Sequence, residues 1–307
     1  VPVAVLDPRH PLPRFFFAPS PRRDITARKA RMKLRDRIGV DLGRRIRLEE
    51  GIEWAAKNGV RFVDVQLDTA PNFLPDFDAK RCAGVRKLLE RHGVRLGLHT
   101  NSAVNVAEYS PCVSDAVTEY LKRYVDIFPK LGASWMVVHA GYHFTSDKPA
   151  RMAAGRERLA RVAAHAEKRK ALVLLENLNK EPQDAEVHYL AHTLEEWRYY
   201  WDIDSPAFKL SFTANHAHLV PEGVEGFVQA LDFRRVAEVR LADCHRNGHE
   251  VHLAPGQGDL DFGALFRAIE GSGYRGHYTN AFGSLEDMLA GREALLERAR
   301  AAGVRVD

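Results

Sequence analysis

From Ile38 onward, short apolar runs alternate with amphipathic stretches, and this alternation narrows the fold more than any other feature of the chain. The strand candidates are IGVDL at Ile38, FVDVQ at Phe62, RLGLH at Arg95, WMVVH at Trp135, LVLLE at Leu172, FKLSF at Phe208, VAEVRL at Val236 and GHYTN at Gly276. Between them lie helical patterns such as LEEGIEWAAKNG and DAKRCAGVRKLLERHG, which stop on Gly59 and Gly93, where a glycine can take the positive φ that ends a helix. Strand followed by amphipathic helix, repeated, reads as βα units on a parallel sheet. Eight such units over residues 38–307 match the size and count of a single (β/α)8 barrel, an α/β fold of the TIM type. The rival, an open doubly wound sheet, is disfavoured: no G-x-G-x-x-G follows the first strand, and no G-x-x-x-x-G-K-[ST] occurs.

Residues 1–37 differ in composition from the rest of the chain. Six prolines punctuate them, no apolar period is sustained, and they carry ten Lys/Arg against Asp7, Asp24 and Asp36, a charge of +7. They read as an extended basic arm ahead of a barrel spanning 38–307, with Met32 the expected native start. Because the whole chain carries +4, the barrel itself carries −3, so charge does not imply a nucleic-acid-binding face. No apolar run approaches the roughly 20 residues of a membrane span. The three cysteines, Cys82, Cys112 and Cys244, lack C-x-x-C spacing and read as reduced thiols of a cytoplasmic protein.

A barrel of this type carries its chemistry at the carboxyl ends of its strands, and the polar residues collect there. Strand three ends in His99 with Asn101 just beyond, strand four in His139 before Gly141, strand five in Glu176, strand six leads to Thr213, Asn215 and His216, and strand seven to Asp243. Glu176 closes the most apolar strand, so its carboxylate is desolvated and needs a cation or hydrogen-bond donors to stay charged. Asn177 and Asn179 could supply the donors, and a divalent metal shared with His99 and His139 would also meet the need; a catalytic base is the other role for such a group. Of His216 and His218, only one is expected to face the mouth. Glu250 and His252, at i, i+2, fall on one side of an extended segment, as a shared ligand requires.

The stretches VVHAG, LLEN, HAHL and HLAPGQGDLDF resemble the xylose-isomerase-like TIM barrels, a superfamily of sugar phosphate isomerases and epimerases that also includes inosose dehydratase and endonuclease IV; the resemblance runs from about Ile38 to Leu296. It implies a metal centre of four ligands, of which only Glu176 stands here. The strand-six Asp falls on Thr213, the strand-seven His on Arg240, and the strand-eight Glu on Asn280 or Ala281. The endonuclease-like branch implies two flanking sets, which match His99, His139 and Glu176, and His216, Glu250 and His252. Two histidines and a carboxylate suit Zn, Mn or Fe(II).

The resulting expectation is a metal-dependent isomerase, epimerase or lyase acting on a small sugar- or polyol-derived molecule. Glu176 and His139 would be catalytic, and Arg240 would clamp an anionic group with Thr213, Asn215, Asn280, Asn101 and Asp243 around the substrate. The strand-eight carboxylate being absent, a one-base isomerisation or an elimination fits better than symmetric epimerisation. The alternatives are a metal-free ligand-binding barrel and an endonuclease IV-like phosphodiesterase; the latter is disfavoured because backbone phosphates require clustered Lys/Arg. A small-molecule substrate is expected, with no membrane, nucleic acid unfavoured, and a homo-oligomer left open.

Overall fold

The computed structural model describes residues 32–144, 146–247 and 249–307. Its eight barrel strands are β1 (Ile38–Gly43), β2 (Phe62–Val65), β3 (Arg95–His99), β4 (Trp135–Val138), β5 (Val173–Glu176), β6 (Phe208–Thr213), β7 (Val236–Leu241) and β8 (His277–Asn280). All are parallel and close in the order β1-β8-β7-β6-β5-β4-β3-β2. Closure is made by the β1–β8 pair, with Ile38 opposite Tyr278 and Val40 opposite Asn280. The fold is therefore the (β/α)8 barrel expected from the alternation.

The helices begin and end where local chemistry requires. Asp78 accepts from the Arg81 N–H at the start of Ala79–His92, and Gly93 ends that helix at φ +64°. Ser284 and Asp287 form a reciprocal capping box for Leu285–Ala301. One apolar core lies between strands and helices, and a smaller one plugs the barrel interior with Phe62, Trp135, Val137 and Leu174. Gly97 allows that plug: a Cβ there would lie 2.2 Å from the Trp135 ring.

Most of the expected arm, residues 1–31, lies outside the described residues, and the compact unit begins at Met32, the expected native start. Leu34–Arg37 forms a single helical turn packed on the barrel base. Leu34 is buried in the core, and Arg37 pairs with Glu270 at 2.8 Å while donating to the Gly276 carbonyl, so this turn belongs to the barrel. No described helix is long and apolar enough to cross a membrane. Cys82, Cys112 and Cys244 are all free.

Above the carboxyl ends, the loops after β4 and β5 meet as a two-residue antiparallel ribbon, Tyr142–His143 against His188–Tyr189. Gly141 makes the turn into it at φ +92°, and a Cβ there would meet the Ala107 nitrogen at 2.4 Å. Tyr189 is thereby placed at the rim of the mouth.

Candidate metal centre and active site

Three adjacent strand ends bring one atom each to a common point. His99 Nε2 lies 3.1 Å from His139 Nε2, and Glu176 Oε2 lies 3.4 Å from the first and 3.3 Å from the second. The centre of such a triangle is about 1.9 Å from each corner, close to the usual metal–ligand bond length of about 2.0–2.2 Å, so these three atoms fit a shared divalent ion. All three residues are buried.

Thr213 determines which carboxylate oxygen faces that point. Its hydroxyl donates to Glu176 Oε1 at 2.5 Å, leaving Oε2 for the histidines. Thr213 is held in turn by Asn177, whose side-chain oxygen accepts from the Thr213 N–H at 2.8 Å and whose amide donates to the Thr213 carbonyl at 3.0 Å. Asn177 thus ties the end of β5 to the end of β6 and does not bond Glu176.

A second trio stands beside the first. His216 Nε2 is 3.2 Å and His252 Nε2 2.7 Å from the same atom, Glu250 Oε1. The Nδ1 of His216 lies 2.8 Å from the Asn177 carbonyl, and that of His252 lies 2.5 Å from the Ala281 carbonyl. A carbonyl only accepts, so both Nδ1 atoms carry hydrogen, and each neutral ring then turns an Nε2 lone pair toward an oxygen that also only accepts. Such a trio requires positive charge at its centre, from ring protons or from a divalent ion. Histidine Nδ1–H groups on carbonyls are also the usual support for ligand rings. This trio is the more open one, with His252 41% exposed. His218, in the same short helix Ala214–His218, turns away to Asp259.

The electrostatics of the first trio point the same way. Burial pushes Glu176 up, but hydrogen bonds from His139 and His99 and the charge of Arg240 outweigh it and hold the carboxyl well below its usual range. Burial and Arg240 disfavour charge on His99, yet Asp64 and Glu176 raise it to about 9, so a proton and a divalent ion compete for one position. Burial lowers His139, whose Nδ1 has no hydrogen-bond partner among the described residues. In the second trio burial opposes charge on Glu250, but His216 and His252 hold it low, and Glu250 raises His252 against the effect of burial. The donor set of two imidazoles and one carboxylate in each trio fits Zn, Mn or Fe(II).

Arg240 lines the mouth as expected, but its charge is already engaged. Its guanidinium pairs with Asp64 and lies 3.3 Å from Glu238, 3.7 Å from Asp41 and 3.9 Å from Glu176. Four carboxyl groups surround this one cation, which gives Arg240 an internal counter-ion role beside the anion clamp expected from the sequence. Glu238 is further held by Ser211 and Thr279, each at 2.8 Å. Three other expected substrate contacts also bond within the protein. The Asp243 carboxylate accepts from the N–H groups of Cys244, Gly256 and Leu260 and staples its own loop. Asn280 donates to the Met288 carbonyl behind the barrel wall. The Asn101 side chain accepts from the Ala103 N–H in a tight turn. Asn215 does face the cavity, and its Nδ2 is buried without a partner among the described residues.

The cavity at this mouth is small, about 250 Å3, and is lined by both trios with Asp41, Gln66, Asn179, Tyr189 and Asn215 among others. Asp41, Asp64 and Glu238 carry much of the site's charge and had no role assigned from the sequence. The signal was there: each is a charged residue inside a short apolar run, in IGVDLG, FVDV and VAEVRL.

Among solved structures, a D-tagatose 3-epimerase-like protein superposes with a TM-score of 0.75 at 21% identity, covering 89% of this chain and 98% of its own. D-psicose 3-epimerase from Clostridium cellulolyticum H10 gives 0.71 at 16%, covering 89% and 100%. The 3-keto-D-glucoside 4-epimerase from E. coli gives 0.65 at 15%, covering 86% and 99%. These likenesses establish the fold. No curated protein matches by sequence. The family model described as xylose isomerase-like TIM barrel matches residues 52–304, most of the barrel, and the chain belongs to that family.

Proposed function

We propose that this protein is a metal-assisted isomerase, epimerase or lyase of a small, uncharged polyhydroxy ketone or aldehyde. The observation that carries the reading is the triangle of His99 Nε2, His139 Nε2 and Glu176 Oε2, with the other Glu176 oxygen pinned by Thr213. A divalent ion held there would polarise a substrate carbonyl and acidify the neighbouring C–H. Glu176, ionised and desolvated, is the base: the C–H bond breaks, the proton goes to the carboxylate, and the electron pair moves toward the carbonyl oxygen. Return of a proton to the adjacent carbon gives isomerisation, to the opposite face epimerisation, and loss of a β-hydroxyl gives elimination. Asn215 Nδ2, without a partner among the described residues, is a donor for a substrate hydroxyl, and Tyr189 lines the mouth beside it.

Size and charge support a small neutral substrate. A cavity of about 250 Å3 is below the roughly 300–1,000 Å3 common for drug-sized ligands. The carboxyl groups around Arg240 disfavour a sugar phosphate, and the −3 charge of the barrel disfavours a phosphodiesterase role. The names of the solved relatives, which are sugar epimerases, agree with this class. Metal analysis of the purified protein, followed by NMR of ketoses and keto-sugars in D2O with Mn2+, tests it. Bound metal and deuterium at a carbon next to the carbonyl are expected; protein that takes up no metal at His99, His139 and Glu176 would refute the metal-assisted reading.

A further inference from the structure

We propose that Asp41 is the second proton-transfer group of this site, facing Glu176 across the barrel mouth. The inference rests on the proposed C–H chemistry and names the residue that completes it. In the closed order of eight strands, β1 and β5 are diametrically opposed, so the ends that carry Asp41 and Glu176 confront each other over the cavity that both line. Arg240 spans the gap, with Nε 3.9 Å from Glu176 Oε1 and another guanidinium nitrogen 3.7 Å from Asp41 Oδ2. The other oxygen, Asp41 Oδ1, is buried without a hydrogen-bond partner among the described residues. The neighbouring strand cannot supply the group, since β8 ends in Asn280, which is bonded to Met288, and then in Ala281.

The position of Asp41 suits it to the acid role. It is faced by Asp64 from β2, Arg240 from β7, His99 from β3 and Arg45 from the following turn, and burial and the like charge of Asp64 raise it to about 6 against the three cations. A carboxyl that keeps its proton in this way, opposite the proposed base, is suited to give it up as an acid. Glu176 takes the carbon-bound proton, and the electron pair passes to the carbonyl oxygen. The Asp41 carboxylic acid then donates its proton from the opposite side, to the same carbon for inversion or to a leaving β-hydroxyl for loss of water. Asp41, left as carboxylate, regains a proton from solvent, and Glu176 releases the one it took.

The test compares wild type and Asp41→Asn on D-tagatose and D-fructose in D2O with Mn2+, following deuterium uptake and product separately. Asn is isosteric and keeps the cavity polar but cannot donate a carboxylic proton. Deuterium uptake and KM are expected to persist while product formation falls about 100-fold or more. Product within threefold of wild type would overturn the inference and leave the Glu176 chemistry standing. A wild type that exchanges no carbon-bound hydrogen would refute the proposed function itself, and the inference with it. Two measurements on the wild-type protein need no variant. Product formation should fall as pH rises through about 6 while exchange does not. One aspartate carboxyl should titrate near there by 13C NMR, and if every aspartate titrates at about 3.9 or below, the acid role is wrong.

Discussion

Thr213→Val tests whether a hydroxyl, standing where the family resemblance implies a carboxylate, organises the centre. Valine keeps the shape and removes the donor to Glu176 Oε1. Thr213 is 2% exposed, and the nearest remaining side-chain donors to Oε1 are farther away, His216 Nδ1 at 3.8 Å and Arg240 Nε at 3.9 Å. A hydrogen bond to a charged group contributes about 1.5–3 kcal/mol. At about 2 °C per kcal/mol for a chain of this size, the metal-free melting temperature should fall about 3–6 °C. With Glu176 free to rotate, metal affinity should drop about 10–100-fold, as for loss of other groups that orient a ligand. Calorimetry in EDTA and titration with Mn2+ or Zn2+ measure the two effects, and Thr213→Ser should retain most of both. Thr213→Asp should also lose activity, because a second carboxylate would crowd Glu176 when Arg240 already faces four, and one of the pair would be forced to take a proton. Unchanged melting and affinity in Thr213→Val would refute the reasoning. So would one extra equivalent of metal in Thr213→Asp with turnover maintained, since Thr213 would then be a remnant of the ordinary four-ligand site.

Arg240→Met should act on stability before substrate binding: it leaves Asp64 and Glu238 buried without their cation, at a cost of about 3–5 kcal/mol, and the KM for a neutral sugar should change little. Retained melting temperature with a tenfold rise in the KM of an anionic substrate would restore the clamp. His216→Ala should remove one bound equivalent of metal, counted by elemental analysis, and leave the ion at His99, His139 and Glu176; unchanged metal content would mean that the Glu250 trio holds protons instead. Glu196 is buried, yet His192 and Lys148 overcome the effect of burial and hold it at about 2, below the roughly 4.3 of an unfolded glutamate. Its folded value being the lower one, it stabilises the fold above the unfolded value and loses that contribution as pH falls toward 2. Glu196→Gln should therefore be less stable than wild type by about 1–3 kcal/mol at pH 7, allowing for the partial exposure of Lys148, and the gap should close by about pH 2 in denaturant titrations. A gap that is independent of pH would mean packing, and not charge, is what the glutamate contributes.

Local sequence carries the barrel because its instructions are local. Alternating apolar runs and amphipathic stretches set strand and helix, glycines and capping residues end them, and a parallel strand that must be followed by a crossover helix leaves few ways to close eight units. The strand-end residues His99, His139 and Glu176 were legible for the same reason, since position along a strand fixes which end of the barrel a side chain occupies. That the turn Leu34–Arg37 belongs to the barrel was not, because Arg37 is held by Glu270 and Gly276, over 230 positions away in sequence. Nor were the engagements of Arg240, Thr213, Asp243 and Asn280. Each side chain has the chemistry to meet a substrate, and whether it does depends on which partners the closed barrel sets beside it. Charge is where this matters most: Coulomb and hydrogen-bond energies depend on distances of 3 to 4 Å between strands remote in sequence. Asp41 and Asp64 therefore read as two unremarked acids in the chain, and only the tertiary structure puts them around one guanidinium at the mouth of the site.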